Sequence, residues 1–207
     1  MKRNKKALIV IDVQNDFCPG GALPVNDGDR VVPVINSIIH KFGIITGTQD
    51  WHPQKHVSFA SNHKGKNIYD QMEINGVRQT LWPDHCVQGT RGADFHKDLD
   101  SVKFDLILRK GADPDIDSYS AFLENDKETE TGLHGYLNAL NVRDVFLCGL
   151  ATDYCVNFSA RDSAKYGFST SVIIDACKGI DVPAGNIDKC VKNMKAMGIK
   201  ILKASDL

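Results

Sequence analysis

A thiol, two carboxylates and an ammonium group each stand where an apolar run of this chain ends. Ala7-Leu8-Ile9-Val10-Ile11 stops at Asp12, Ile44-Ile45-Thr46-Gly47-Thr48-Gln49 at Asp50, and Phe104-Asp105-Leu106-Ile107-Leu108-Arg109 at Lys110. Val145-Phe146-Leu147-Cys148 runs into GLATDYC, which ends on Cys155, and a helical stretch spans Tyr154 to Tyr166. Cys155 therefore falls at a strand-to-helix turn, beside the unsatisfied N–H groups that open a helix. Those donors and the helix dipole favour a thiolate and can hold an oxyanion. Taken singly, a buried cysteine is a small core residue, either aspartate can cap a turn, and the lysine can be solvated. Placed together at the carboxyl ends of parallel strands, where open α/β sheets bind ligands, they form one reactive rim.

The elements that would gather them alternate along the chain. Strands are expected at about 6–12, 44–49, 104–109, 144–149, 171–175 and 200–203, with helices near 28–42, 131–141 and 185–197 besides the one after Cys155. Such alternation argues for a three-layer α/β/α, Rossmann-like fold around a mainly parallel six-stranded sheet. The stretch 51–91 holds both tryptophans and most of the histidines; a long irregular segment inside a compact domain is functional or carries small elements of its own. With 207 residues, the chain reads as one domain with a substantial core. Hydrophobic content of 42% and charged content of 25% are those of a globular protein. A net charge of −1 offers no footprint for nucleic acid or an anionic membrane. MKRNKKALIVIDV superficially resembles a signal peptide, but Asp12 interrupts its apolar run and no small-residue cleavage site follows. No run approaches the roughly 20 apolar residues of a spanning helix. The six cysteines, Cys18, Cys86, Cys148, Cys155, Cys177 and Cys190, show no CxxC pair and no dense spacing. They read as reduced thiols, and a cytoplasmic location is the expectation.

The blocks ALIVIDVQNDFCPGGALPV, GTQDWHPQKHVSFA, LWPDHCVQGT, RKGADPDIDSYSAF and CGLATDYCV, in this order, span most of the chain. In them the chain resembles the nicotinamidases of the isochorismatase-like cysteine hydrolase superfamily, with no catalytic position substituted. The resemblance implies a triad of Cys155, Asp12 and Lys110 and a metal site of Asp50, His52 and His85. The chemistry is coherent. Cys155 would be the nucleophile, and Asp12 would take its proton and later hand one to the leaving amine. Lys110 would stabilise the thiolate and orient Asp12, and the Ala151 and Cys155 N–H groups would hold the oxyanion. The family also implies a cis peptide between Leu150 and Ala151. Asp50 and His52, two apart, project to one side of an extended segment; with His85 they suit one divalent ion, zinc first and iron(II) or manganese(II) as alternatives. No organic cofactor is implied.

The same resemblance places Phe17, Leu23, Trp82, Tyr119 and Ala151 around an aromatic ring, with nicotinamide as substrate, pyrazinamide as an adventitious one and loops 51–91 and 111–122 setting the breadth. Asp16 would orient a loop. His56, His63, His96 and His134 read as solvated, with His56 the one candidate for an additional ligand; His40 reads as structural and the acidic run Glu124 to Glu130 as a solvated face. The rivals are a sister hydrolase of isochorismate, a ureido compound or another small amide, a metal-storage or redox-sensing protein, and a nucleotide-binding module. The last has little support, since the first strand ends in DVQNDF and not GxGxxG. A homo-oligomer is left open.

Overall fold

Ala7 to Ile11 lose all contact with solvent in the first strand, β1 (Lys6–Ile11). Successive side chains of a strand point to opposite faces, so the sheet is covered on both sides at β1, as parallel sheets between helix layers are. The computed structural model describes residues 5–207; Met1 to Asn4, the start of the basic segment ahead of the first strand, lie outside the described residues.

The chain continues through β2 (Ile44–Asp50), a hairpin of β3 (Gln71–Ile74) and β4 (Val77–Thr80), β5 (Leu106–Lys110), β6 (Asp144–Leu150), β7 (Ser169–Lys178) and β8 (Lys200–Leu202). The six-stranded sheet has the order β5-β2-β1-β6-β7-β8, and every pairing in it is parallel, so the sheet is wholly rather than mainly parallel. Helices α1 (Val31–Ile38), α2 (Leu133–Ala139), α3 (Asn157–Lys165) and α4 (Asn186–Ala196) make the crossovers. The expected helix at 28–42 is shorter than its apolar periodicity suggests. Residues Gly28–Arg30 and Ile39–Lys41 are tighter 3-10 turns, and only Val31, Val32, Ile35 and Ile38 of the helix itself are buried. His40, on the second turn, is exposed and not a structural residue. Among the described residues no helix is long and apolar enough to cross a membrane.

The strand order positions the rim. The chain leaves β1 toward β2 on one side, and leaves β6 toward β7 on the other, while β1 and β6 lie side by side with Ile11 opposite Gly149. Right-handed crossovers send opposite connections to opposite faces, so a crevice opens between the carboxyl ends of β1 and β6. Asp12 follows the first of these strands, and the turn bearing Cys155 follows the second.

Gly149 holds this junction. Its φ is +115°, the pairing of β6 with β7 shifts register beside it, and an added Cβ would collide with the carbonyl of Ile11. Gly149→Ala should therefore lower the unfolding free energy by about 2 kcal/mol or more, from both strain and collision. A urea midpoint equal to that of the wild type would contradict this account.

Candidate active site

The register of β2 with β5 sets Asp50 directly opposite Lys110. Lys110 is fully buried, and its ammonium group is hemmed in on every side the structure describes. Nζ lies 3.0 Å from Asp12 Oδ2, forms a short ion pair with Asp50 Oδ1, donates to the Ser118 carbonyl at 3.0 Å, and stands 3.6 Å from Cys155 Sγ. Burial opposes the charge on Lys110, but Asp12 and Asp50 overcome it and hold its pKa well above the usual value. The cluster of Asp12, Asp50 and Cys155 thus already has its cation, the ammonium itself.

Asp12 leaves β1 with φ +48°, in the left-handed region, where strained non-glycine residues concentrate at functional sites. Thr48, which the sequence did not single out, fixes it twice. Its hydroxyl donates to Asp12 Oδ1 at 2.6 Å, and its oxygen accepts the Asp12 N–H at 3.2 Å. Oδ2 faces Lys110 without hydrogen-bond alignment and is the oxygen left to receive a proton. Burial raises the carboxyl, Lys110 pulls it down, and the outcome is about 6.

Cys155 sits in a wide π-helical turn, Thr152–Val156, that opens into α3. The peptide between Leu150 and Ala151 is cis, as the resemblance implied. Burial pushes the Cys155 thiol well above its ordinary pKa, outweighing Lys110, so the turn does not hold a resting thiolate. The thiol needs a base, and the Asp12 carboxylate nearby raises its pKa further.

On the other side of Asp50, Oδ2 faces two imidazoles, with His52 Nε2 at 3.8 Å and His85 Nε2 at 3.9 Å. Each ring donates from Nδ1 to a backbone carbonyl, His52 to Gly111 at 2.9 Å and His85 to Pro83 at 2.8 Å. That fixes both tautomers with Nε2 turned inward, the outer-shell arrangement of metal-ligating histidines. A side chain at Gly111 would strike the His52 ring, its Cβ falling 2.7 Å from Nδ1. Burial and then His52 push His85 down to about 4, which leaves it a neutral donor. The three donor atoms lie within 4.8 Å of one another and fit a divalent cation. His85 reaches the pair because the His52 N–H donates to the Cys86 carbonyl at 3.1 Å.

His56 is not solvated. It is fully buried, stacked on His52 with ring centroids 4.1 Å apart, and its nitrogens are engaged by Ser58 at 2.7 Å and the Ile116 carbonyl at 3.3 Å. Both ring nitrogens are thereby turned to protein partners. His63, His96 and His134 are half-buried rather than solvated, and His63 donates to the Val57 carbonyl at 2.7 Å. Glu124 also departs from its expected solvated face, since its Oε2 is buried.

Phe17, Leu23, Trp82, Tyr119 and Ala151, all named from the sequence, line one pocket of about 350 Å³ together with Asp50, His85 and Cys155. The Tyr119 hydroxyl accepts the Trp82 indole N–H at 3.0 Å. Asp117, Tyr154 and Ile180 complete the wall and were not foreseen; Asp117 and Tyr154 lie inside the quoted blocks, but nothing in their spacing set them apart. Gln14 was also missed. Buried beneath the rim, it accepts the Asp50 N–H and donates to the Asp50 carbonyl, each at 2.8 Å. Asp16 joins loop to loop, accepting the N–H of Ala22 at 3.1 Å and of Cys86 at 2.7 Å.

Known proteins share this architecture. A nicotinamidase of Acinetobacter baylyi (strain ATCC 33305 / BD413 / ADP1) is 47% identical over 204 residues, covering 99% of this chain and 95% of the relative. Among solved structures, a nicotinamidase and pyrazinamidase of Acinetobacter baumanii superposes with a TM-score of 0.96 at 46% identity, over 100% of this chain and 99% of the other. A pyrazinamidase of Pyrococcus horikoshii in complex with zinc superposes with a TM-score of 0.79 at 39% identity, over 97% and 99%. The family model described as the isochorismatase domain matches residues 6–206, and the chain belongs to the isochorismatase family.

Proposed function

We propose that this chain is a nicotinamidase, converting nicotinamide and water to nicotinate and ammonia, with pyrazinamide as a second substrate. The observation that carries this reading is a single pocket with an apolar and aromatic wall, Cys155 on one side, and Asp50 and His85 on another. It presents one flat ring with a nucleophile and a metal-fitting wall at once. The related nicotinamidases support the substrate. The reading takes residues 1–207 as one hydrolase domain, in which 51–91 is the metal- and substrate-binding insertion. Unpaired cysteines throughout support a reducing, cytoplasmic setting, and the proposed conversion of nicotinamide to nicotinate supports a place in NAD salvage.

The reaction follows from the geometry. Asp12 Oδ2 takes the Cys155 proton, and Sγ bonds to the carboxamide carbon. The tetrahedral oxyanion forms against the Ala151 and Cys155 N–H groups, each such donor being worth about 3 kcal/mol in the transition state. The C–N bond breaks as Asp12 returns the proton to the nitrogen, so ammonia leaves and a nicotinoyl thioester remains on Cys155. Water then attacks the thioester with Asp12 as base, and nicotinate departs as the proton returns to sulfur. Lys110 keeps its charge throughout and holds Asp12 toward the thiol. Asp50, His52 and His85 would hold a divalent ion, whose chemistry is to bind the pyridine nitrogen and fix the ring's orientation. A zinc complex of a related pyrazinamidase supports zinc, with iron(II) or manganese(II) as alternatives.

Cys155→Ala should reduce ammonia release from nicotinamide by at least about 10⁴-fold while zinc titration still shows one bound ion. Ammonia release at the wild-type rate would rule out the thioester route. Asp12 acts as base only when ionised and its pKa is about 6, so kcat/KM should fall as the pH drops through that value and level off above it. Asp12→Asn should abolish the activity across the whole pH range. Chelation should remove activity and added zinc restore it; His52→Ala should weaken zinc binding by about tenfold or more, read directly by competition with a chromogenic chelator.

A further inference from the structure

Asp153 is buried two residues before Cys155, and none of the steps above uses it. Its carboxylate gathers donors from a single distant segment. Oδ1 accepts the N–H of Ile180 at 2.9 Å, while Oδ2 accepts the N–H of Asp181 and an amide proton of Asn186, each at 3.0 Å. Charge-assisted hydrogen bonds of this kind are stronger than neutral ones. The contact is close as well: a Cβ at Gly179 would lie 2.8 Å from Asp153 Oδ1 and 2.7 Å from Ile187. The next residue adds another tie, since the Tyr154 hydroxyl donates to the Val182 carbonyl at 3.3 Å. Ile180 is the residue of this segment that reaches the ring pocket, where Tyr154 and Cys155 also stand.

We infer that Asp153 is a positioning residue that sets the distance between the Cys155 turn and the Ile180 wall, and thereby the fit of the substrate ring over the thiol. The inference rests on the nicotinamidase reading of the pocket. The carboxylate belongs to the turn that carries the nucleophile, and its partners belong to the segment that carries the wall. A shift of either loosens the slot that grips the ring, so the substrate is held less tightly while the groups that act on the carboxamide stay in place, a loss that appears in KM rather than kcat. Asp153 acts through Ile180 and touches neither substrate nor sulfur.

The test uses the full-length, zinc-loaded protein. Asp153→Asn preserves shape but turns an NH₂ group toward N–H donors, so at least one of the three bonds is lost. KM for nicotinamide should rise by about tenfold, with kcat changing much less. Ile180→Ala should raise KM in the same way, and the double variant should add nothing further, because residues acting through one contact are not additive. A second readout needs no turnover: the rate of Cys155 modification by 2,2′-dithiodipyridine relative to iodoacetamide. Opening the wall should raise that ratio in both single variants. Full additivity of the KM effects, or a lower melting temperature with KM and the reagent ratio unchanged, would overturn the proposal and leave Asp153 a purely structural residue. If Asp153→Asn does not fold, Asn186→Ala removes one donor alone and should shift KM and the ratio in the same direction by less; no shift would again overturn the proposal. A wild-type protein inert toward nicotinamide, with the reagent ratio still responding, would sink the substrate assignment and not the role of Asp153.

Discussion

The buried ammonium group of Lys110 is the constraint on which the rim depends. Removing an ion from water costs several kcal/mol, and this one is offset only because Asp12, Asp50 and the Ser118 carbonyl converge on it. Asp50 shares itself between two duties, giving one oxygen to Lys110 and the other to His52 and His85. The nucleophile's base and the cation-binding donors are therefore joined through a single lysine. The count of charge explains their division of labour. One ammonium between two carboxylates leaves a single negative charge over, and the histidine side is where a cation, whether a proton on His52 or a metal ion, can answer it.

Holding that arrangement falls to backbone and to uncharged side chains. Gln14 pins the main chain of Asp50, Thr48 pins Asp12, and the carbonyls of Gly111 and Ser118 orient His52 and Lys110. Thr48 lies within β2 and Gly111 directly after β5, so the rigidity of the sheet passes to Asp12 and His52, while Ser118 reaches Lys110 from the loop that follows β5. The crevice between β1 and β6 is where a doubly wound sheet leaves room for a ligand, and the strand order alone puts Asp12 and Cys155 on its two sides.

How far the sequence could be read depended on the physical nature of each signal. Strand ends were legible because an apolar run that stops at Asp12, Asp50 or Lys110 reports burial and its limit together. The hairpin within 51–91 was missed although its signal is there, since Gln71-Met72-Glu73-Ile74 alternates polar and apolar residues ahead of Asn75-Gly76; the strands are only four residues each and are read easily as part of an irregular loop. His56 was misread because the polar neighbours of a short loop say nothing of what packs over it; its burial comes from stacking on His52. Gln14 and Thr48 stayed hidden for a related reason. Their value lies in hydrogen bonds to Asp50 and Asp12, residues 36 positions away, and no local spacing reveals those. At Cys155 the sequence shows the turn that favours a thiolate but not the burial, which raises the thiol more than Lys110 lowers it.

That enclosure reaches beyond the reaction. All six cysteines are buried and unpaired. Burial raises Cys18 to about 11 and Cys177 to about 12, and lifts Cys86, Cys148 and Cys155 well above the ordinary thiol value. Peroxides and electrophiles attack thiolates at accessible sites. The five cysteines outside the reaction are packed away from such reagents, whereas Cys155 faces the ring pocket and is most open to them while its proton rests on Asp12. The shielding of those five thiols is thus a by-product of core packing.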